Sequence, residues 1–92
     1  MSLEKIAEII SERCNRKYSI LLNSGTASLI VSFKSLNLPP NSDILMPALC
    51  CPAVLFAIKF AGYNPILVDV SMNNINSNLN EIKQSITSNT KA

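Results

Sequence analysis

Residues 18–23 (Tyr-Ser-Ile-Leu-Leu-Asn) form a short apolar run that meets Ser24-Gly25-Thr26 and then a helical pattern opening at Ala27. A glycine turn between a strand and a helix aims unpaired backbone N–H groups at one point. Those donors and the positive end of the helix dipole suit an anion, most often a phosphate. Ser24 and Thr26 add hydroxyls beside them. The plainer reading of the same letters is a strand-to-helix turn with a Ser or Thr cap, which is common.

Other residue types narrow the chemistry. The chain holds three cysteines, Cys14, Cys50 and Cys51, and no histidine. An odd number with two adjacent fits neither a disulfide framework nor a C-x-x-C redox site. Without histidine a Ser-His-Asp triad cannot be built, and no zinc site is expected. Reduced thiols in a cytosolic protein are the simplest account. Cys50 and Cys51 read first as two small buried residues opening a helix, with reactivity at a helix N-terminus as the sharper alternative.

Composition limits the rest. The 92 residues make at most one small domain, below the usual ~100–150. Hydrophobic residues are 48% and charged residues 15%, greasier than a typical lone domain with ~25% charged. That much apolar side chain predicts packing against more protein. A net charge of +2 gives no case for nucleic acid. The basic cluster Arg13, Arg16 and Lys17 flanks a helix C-terminus, where it favours the dipole. No signal peptide opens the sequence. The greasiest run, residues 48–61, holds Pro52 and Lys59 and is shorter than the ~18 apolar residues a membrane span needs. It predicts a buried helix, so no membrane partner is expected.

These residues need elements to position them. Leu3, Ile6, Ala7, Ile10 and Cys14 recur at helical spacing, opposite Glu4, Glu8 and Glu12, giving an amphipathic helix ending near Asn15. Residues 18–23 are read as the first strand and residues 27–36 as a second helix. Pro39-Pro40-Asn41-Ser42 breaks it. Asp43-Ile44-Leu45-Met46 is the second strand, stopped at Pro47. Pro52 suits a first helical turn and Gly62 a helix C-cap, with an apolar helix between them that should be covered all round. Pro65-Ile66-Leu67-Val68-Asp69-Val70 is the third strand, apolar as strands buried on both faces are. Residues 73–80 read as a loop, and Leu79, Ile82 and Ile86 as a last short helix. Alternation of strands and helices means parallel strands with right-handed crossovers, an α/β class. Ligands in such sheets gather beyond the carboxyl ends of the strands. That places Ser24-Gly25-Thr26, residues 47–51 and Asp69 as site candidates.

The same residues carry a resemblance. Ser24-Gly25-Thr26-Ala27-Ser28-Leu29, then Asn41-Ser42-Asp43-Ile44-Leu45-Met46-Pro47, resembles the start of the DegT/DnrJ/StrS sugar aminotransferases. Ala61-Gly62-Tyr63-Asn64-Pro65-Ile66-Leu67-Val68-Asp69-Val70 and Ile86-Thr87-Ser88-Asn89-Thr90-Lys91-Ala92 continue the series in order. Each piece is weak, but the series is specific and covers nearly the whole chain. The resemblance implies pyridoxal 5′-phosphate as cofactor and the fold-type I, aspartate aminotransferase architecture. Residues 1–92 would be a single partial domain, the amino-terminal three-strand portion of its large domain.

Site roles follow by matched position. Gly25, Thr26 and Ala27 fall where the family holds the cofactor phosphate. Cys51 falls where many members place an aromatic ring that stacks on the cofactor; a cysteine offers a polarizable sulfur and no flat face. Asn41-Ser42 replaces Gly-Asp, which is read as turn variation. Asp69 matches a recurrent aspartate at the edge of the site. The Schiff-base lysine and the aspartate that pairs with the pyridine nitrogen lie, in the family, in later segments. None of Lys5, Lys17, Lys34, Lys59, Lys83 and Lys91 has the family lysine's context, so no catalytic residue is assigned. The chain reads as a cut piece, with residues 18–23 separated from their family neighbours.

What the resemblance implies for function is an aminotransferase converting a nucleotide-linked keto-sugar to an amino sugar, with glutamate as the usual amino donor. The product would serve surface polysaccharide or a glycoside. A cytoplasmic homodimer is expected, and the 92-residue chain alone should be inactive. The alternative is a non-catalytic remnant that binds a phosphorylated ligand or a full-length paralogue. An unrelated nucleotide-binding domain would need a G-x-G-x-x-G turn that is missing.

Overall fold

Two parallel strands and the helix that returns between them form the centre of the molecule. The computed structural model describes residues 1–73 and 75–92. The order is α1 (Leu3–Arg13), α2 (Gly25–Ser35), β1 (Asp43–Pro47), α3 (Pro52–Phe60), β2 (Asn64–Val68) and α4 (Leu79–Ser85). β1 and β2 pair in parallel from Asp43↔Asn64 to Pro47↔Val68, so their carboxyl ends are level.

Capping fixes the helix limits. Ser2 and Asn78 accept side-chain bonds from the N–H groups of Lys5 and Glu81, opening α1 and α4. α1 closes with a double bond pattern, Asn15 N–H to the Glu12 carbonyl and Arg16 N–H to that of Ser11, with Asn15 left-handed at φ 50°. α3 closes likewise through Gly62 (φ 92°), whose N–H reaches Lys59 while that of Tyr63 reaches Ile58. At the end of α2, Asn37 (φ 49°) bonds Lys34, but the next amide, Leu38, donates to the Tyr63 hydroxyl at 3.1 Å. Tyr63 thus ties the α2–β1 connection to the core.

The core gathers Ile44 and Met46 of β1, Ile58 of α3 and Tyr63, with Phe33, Leu38, Val54, Leu55 and Ala61 packed around them. Alternate β1 residues face it, as strand geometry requires. Ser42 is buried and satisfied, its hydroxyl donating to the Pro39 carbonyl. On the far face of the strands, Leu45, Val68, Ile82 and Ile86 line a cavity of about 480 Å³.

Several expectations change. The fold is α/β with parallel strands, but among the described residues the sheet has two strands rather than three. Residues 18–23 form no strand pairing, and Tyr18 and Ile20 are 74% and 81% exposed. No neighbouring strand among the described residues offers them a ladder. A further partner for β1 comes from the end of the chain. Asp43 and Leu45 donate to the carbonyls of Asn89 and Ala92, and Lys91 donates to that of Asp43, with Asp43 and Thr90 bridged in parallel.

The α3 helix is not covered all round: Ala57 and Ile58 are buried, whereas Phe56 and Phe60 stack on each other in the open. Cys50 and Cys51 are exposed rather than buried. β2 ends at Val68, one residue before Asp69. The loop expected over residues 73–80 gives way to α4 at Leu79. Asn74, within it, lies outside the described residues.

The surface accounts for these exposures. A compact monomer of 10.0 kDa has roughly 5,200 Å² of accessible surface, and this chain has 6922 Å². Its radius of gyration is 15.6 Å, against roughly 12 Å for a compact domain of this length. Among the described residues, no helix is long and apolar enough to cross a membrane.

Candidate functional site

Ser24 defines the corner between residues 18–23 and α2. Its backbone is extended (φ −160°, ψ 160°), and its Oγ accepts the Ala27 N–H at 3.1 Å while its carbonyl accepts that of Ser28 at 3.0 Å. The helix therefore starts at Gly25, two residues earlier than the apolar pattern suggests. Gly25 is the first helical residue and not a left-handed turn. The signal for this was in the sequence: a serine directly before an apolar helical run is a standard N-cap.

This geometry divides the three candidate amides. Ala27 N–H is spent on Ser24 Oγ. Gly25 and Thr26 N–H make no hydrogen bond among the described residues, and neither does the Thr26 hydroxyl. A β-carbon built on Gly25 would meet nothing within 4 Å. Two bare donors at the positive end of an eleven-residue helix, with open space above them, are what an anion needs.

The second candidate segment leads into α3, which begins at Pro52. Lys34, near the end of α2, holds its Nζ 5.5 Å from the centroid of the Phe60 ring, at the end of α3. α2 and α3 pack together, and their last turns meet there. Cys51 is the residue before α3, exposed, with no side-chain capping bond. Cys50 Sγ points to the Cys51 carbonyl at 3.6 Å. The turn at 48–51 is fastened to the end of β2 by the Ala48 N–H bond to the Val68 carbonyl at 2.8 Å. Asp69 follows at this sheet edge, exposed, its Oδ1 accepting the Val70 N–H at 2.7 Å.

The fold therefore brings residues 47–51 and 69 to one edge. It contributes no lysine with a matching context there. Among the described residues, no group of three or more His, Cys, Asp or Glu side chains could hold a metal ion. The residues present fit the phosphate end of a cofactor and leave its reactive end to other groups. The brace from Tyr63 to Leu38, which holds the α2–β1 connection, had no signal in the sequence, because residues 25 apart met only on folding.

Known proteins resemble the chain throughout its length. A 4-aminotransferase from Saccharopolyspora spinosa, acting on dTDP-4-dehydro-2,3,6-trideoxy-D-glucose, is 36% identical over 73 residues, 79% of this chain and 19% of its own. GDP-perosamine synthase of Escherichia coli O157:H7 is 28% identical over 90 residues, 98% of this chain and 25% of its own. The crystal structure of NtdA from Bacillus subtilis with bound cofactor PMP superposes with a TM-score of 0.88 at 29% identity, covering 97% of this chain and 20% of that one. The chain thus spans about a fifth to a quarter of the length of these relatives. The model of the DegT/DnrJ/EryC1/StrS aminotransferase family matches residues 2–92, and the chain belongs to that family.

Proposed function

We propose that this chain supplies the phosphate-holding corner of a pyridoxal 5′-phosphate-dependent aminotransferase that acts on a nucleotide-linked keto-sugar. The observation that carries the reading is the pair of unpartnered amides at Gly25 and Thr26, beneath open space at the start of α2. When bound, the cofactor supplies an electron sink for moving an amino group. The residues of this chain bind and orient. Gly25 and Thr26 donate to the phosphate, the Thr26 hydroxyl adds a third donor, and the α2 dipole favours the charge. Ala27 contributes its amide to the extent that Ser24 Oγ shares it. Cys51 borders the ring with a polarizable sulfur that packs without stacking.

The remainder of the proposal follows from what the family resemblance implies. Glutamate is the amino donor, the product is an amino sugar for polysaccharide or a glycoside, and the enzyme is a cytoplasmic homodimer. Residues 1–92 belong to a single domain, its large one. The excess apolar surface, from Tyr18 and Ile20 to Phe56 and Phe60, supports burial against further protein. It equally suits docking on a full-length paralogue, which co-purification would detect.

Pyridoxine 5′-phosphate tests the site, because it lacks the aldehyde that would react with lysines at random. It should bind the chain while unphosphorylated pyridoxine does not. Equal affinity for the two removes the phosphate site. No transaminase turnover is expected from the 92-residue chain by itself.

A further inference from the structure

We propose that Cys50 and Cys51 together form a two-thiol site for a monosubstituted trivalent arsenical. Both cysteines are free and exposed. They lie where the chain bends out of β1 and before Pro52 starts α3. Successive side chains point to opposite faces in a strand. Residues 48–50 bend out of the strand, so strict alternation does not bind this pair. Cys50 Sγ lies 3.6 Å from the Cys51 carbonyl, a weak contact that an arsenical would replace. The Cys51 sulfur is not engaged in capping α3.

The ligand class follows from the number of sulfurs. Closed zinc sites need four protein ligands, and no cluster of three or more is present among the described residues. Soft thiolates select soft partners. An arsenical of the form R–As=O needs two sulfurs from the protein and brings its own third substituent. Two As–S bonds form, the As–O bond breaks, and both thiol protons leave on oxygen as water. No oxidant or reductant is involved. The proposal shares Cys51 with the proposed cofactor site, but it needs no phosphate to be bound there.

Phenylarsine oxide is the probe. With the reduced chain it should give a one-to-one adduct, and free thiols should fall from three to one. Cys50→Ser or Cys51→Ser should weaken binding by about 10²–10⁴-fold, the gain a second tethered contact provides. Cys14→Ser should bind as the parent does. In the parent, bound arsenical should block iodoacetamide at Cys50 and Cys51 but not at Cys14, a readout that needs no variant. Single-serine variants that bind as tightly as the parent, labelling of Cys50 or Cys51 in the adduct, or dependence on Cys14 would overturn the proposal.

Discussion

Lys34 and Phe60 meet through a cation–ring contact, Nζ 5.5 Å from the ring centroid, across the final turns of α2 and α3. The pair joins the two helices at those turns. An exposed contact of this kind contributes roughly 0.5–1 kcal/mol, a small share of the packing between them.

Gly25 separates binding from stability. Its backbone is helical and a β-carbon there meets nothing within 4 Å, so Gly25→Ala should leave folding unchanged or improve it by about 0.5–1 kcal/mol. The same methyl group should hinder close approach of a phosphate to the backbone. Urea unfolding and equilibrium dialysis with pyridoxine 5′-phosphate should therefore move independently, with affinity alone declining.

Ser24 gives the complementary split. Ser24→Ala removes the bond to Ala27 N–H and should cost ~1 kcal/mol in urea unfolding. Ser24→Asp should restore that stability, since aspartate caps as well as serine. Its negative charge should nonetheless weaken phosphate binding below that of the parent chain.

Gly62 holds φ 92° where α3 turns into β2. Gly62→Ala forces a β-carbon into left-handed backbone and should cost about 1–2 kcal/mol, read as a lower urea midpoint. Space is not the obstacle, because nothing lies within 4 Å of the added carbon.

Tyr63→Phe keeps the ring in the core and deletes the acceptor for Leu38 N–H. An amide left without a partner in a part-buried position costs about 1–3 kcal/mol. The loss should appear in hydrogen exchange as faster opening at Leu38 and through the connection at 36–42.

How much of this was legible in the letters depends on whether the controlling contacts were local. α1, α3 and α4 and both paired strands announce themselves through apolar spacing and through Pro52 and Gly62. Their caps lie within a few residues. Residues 18–23 have strand-like letters, but a strand exists only with a neighbour, and no described residue provides one. The apolar α3 was read as buried because its composition says nothing of how much protein surrounds it. Phe56 and Phe60 remain open for that reason. At the candidate site, the corner that opens α2 was readable from Ser24-Gly25-Thr26. The division of its amides was not, since it depends on which oxygen Ser24 turns toward Ala27.

Amide-resolved NMR during titration with pyridoxine 5′-phosphate tests the phosphate corner most directly. The largest shifts should fall on the Gly25 and Thr26 N–H signals, with Ala27 moving less because its proton is already held by Ser24. Signals at Gly25 and Thr26 that stay in place while resonances elsewhere respond would contradict the assignment.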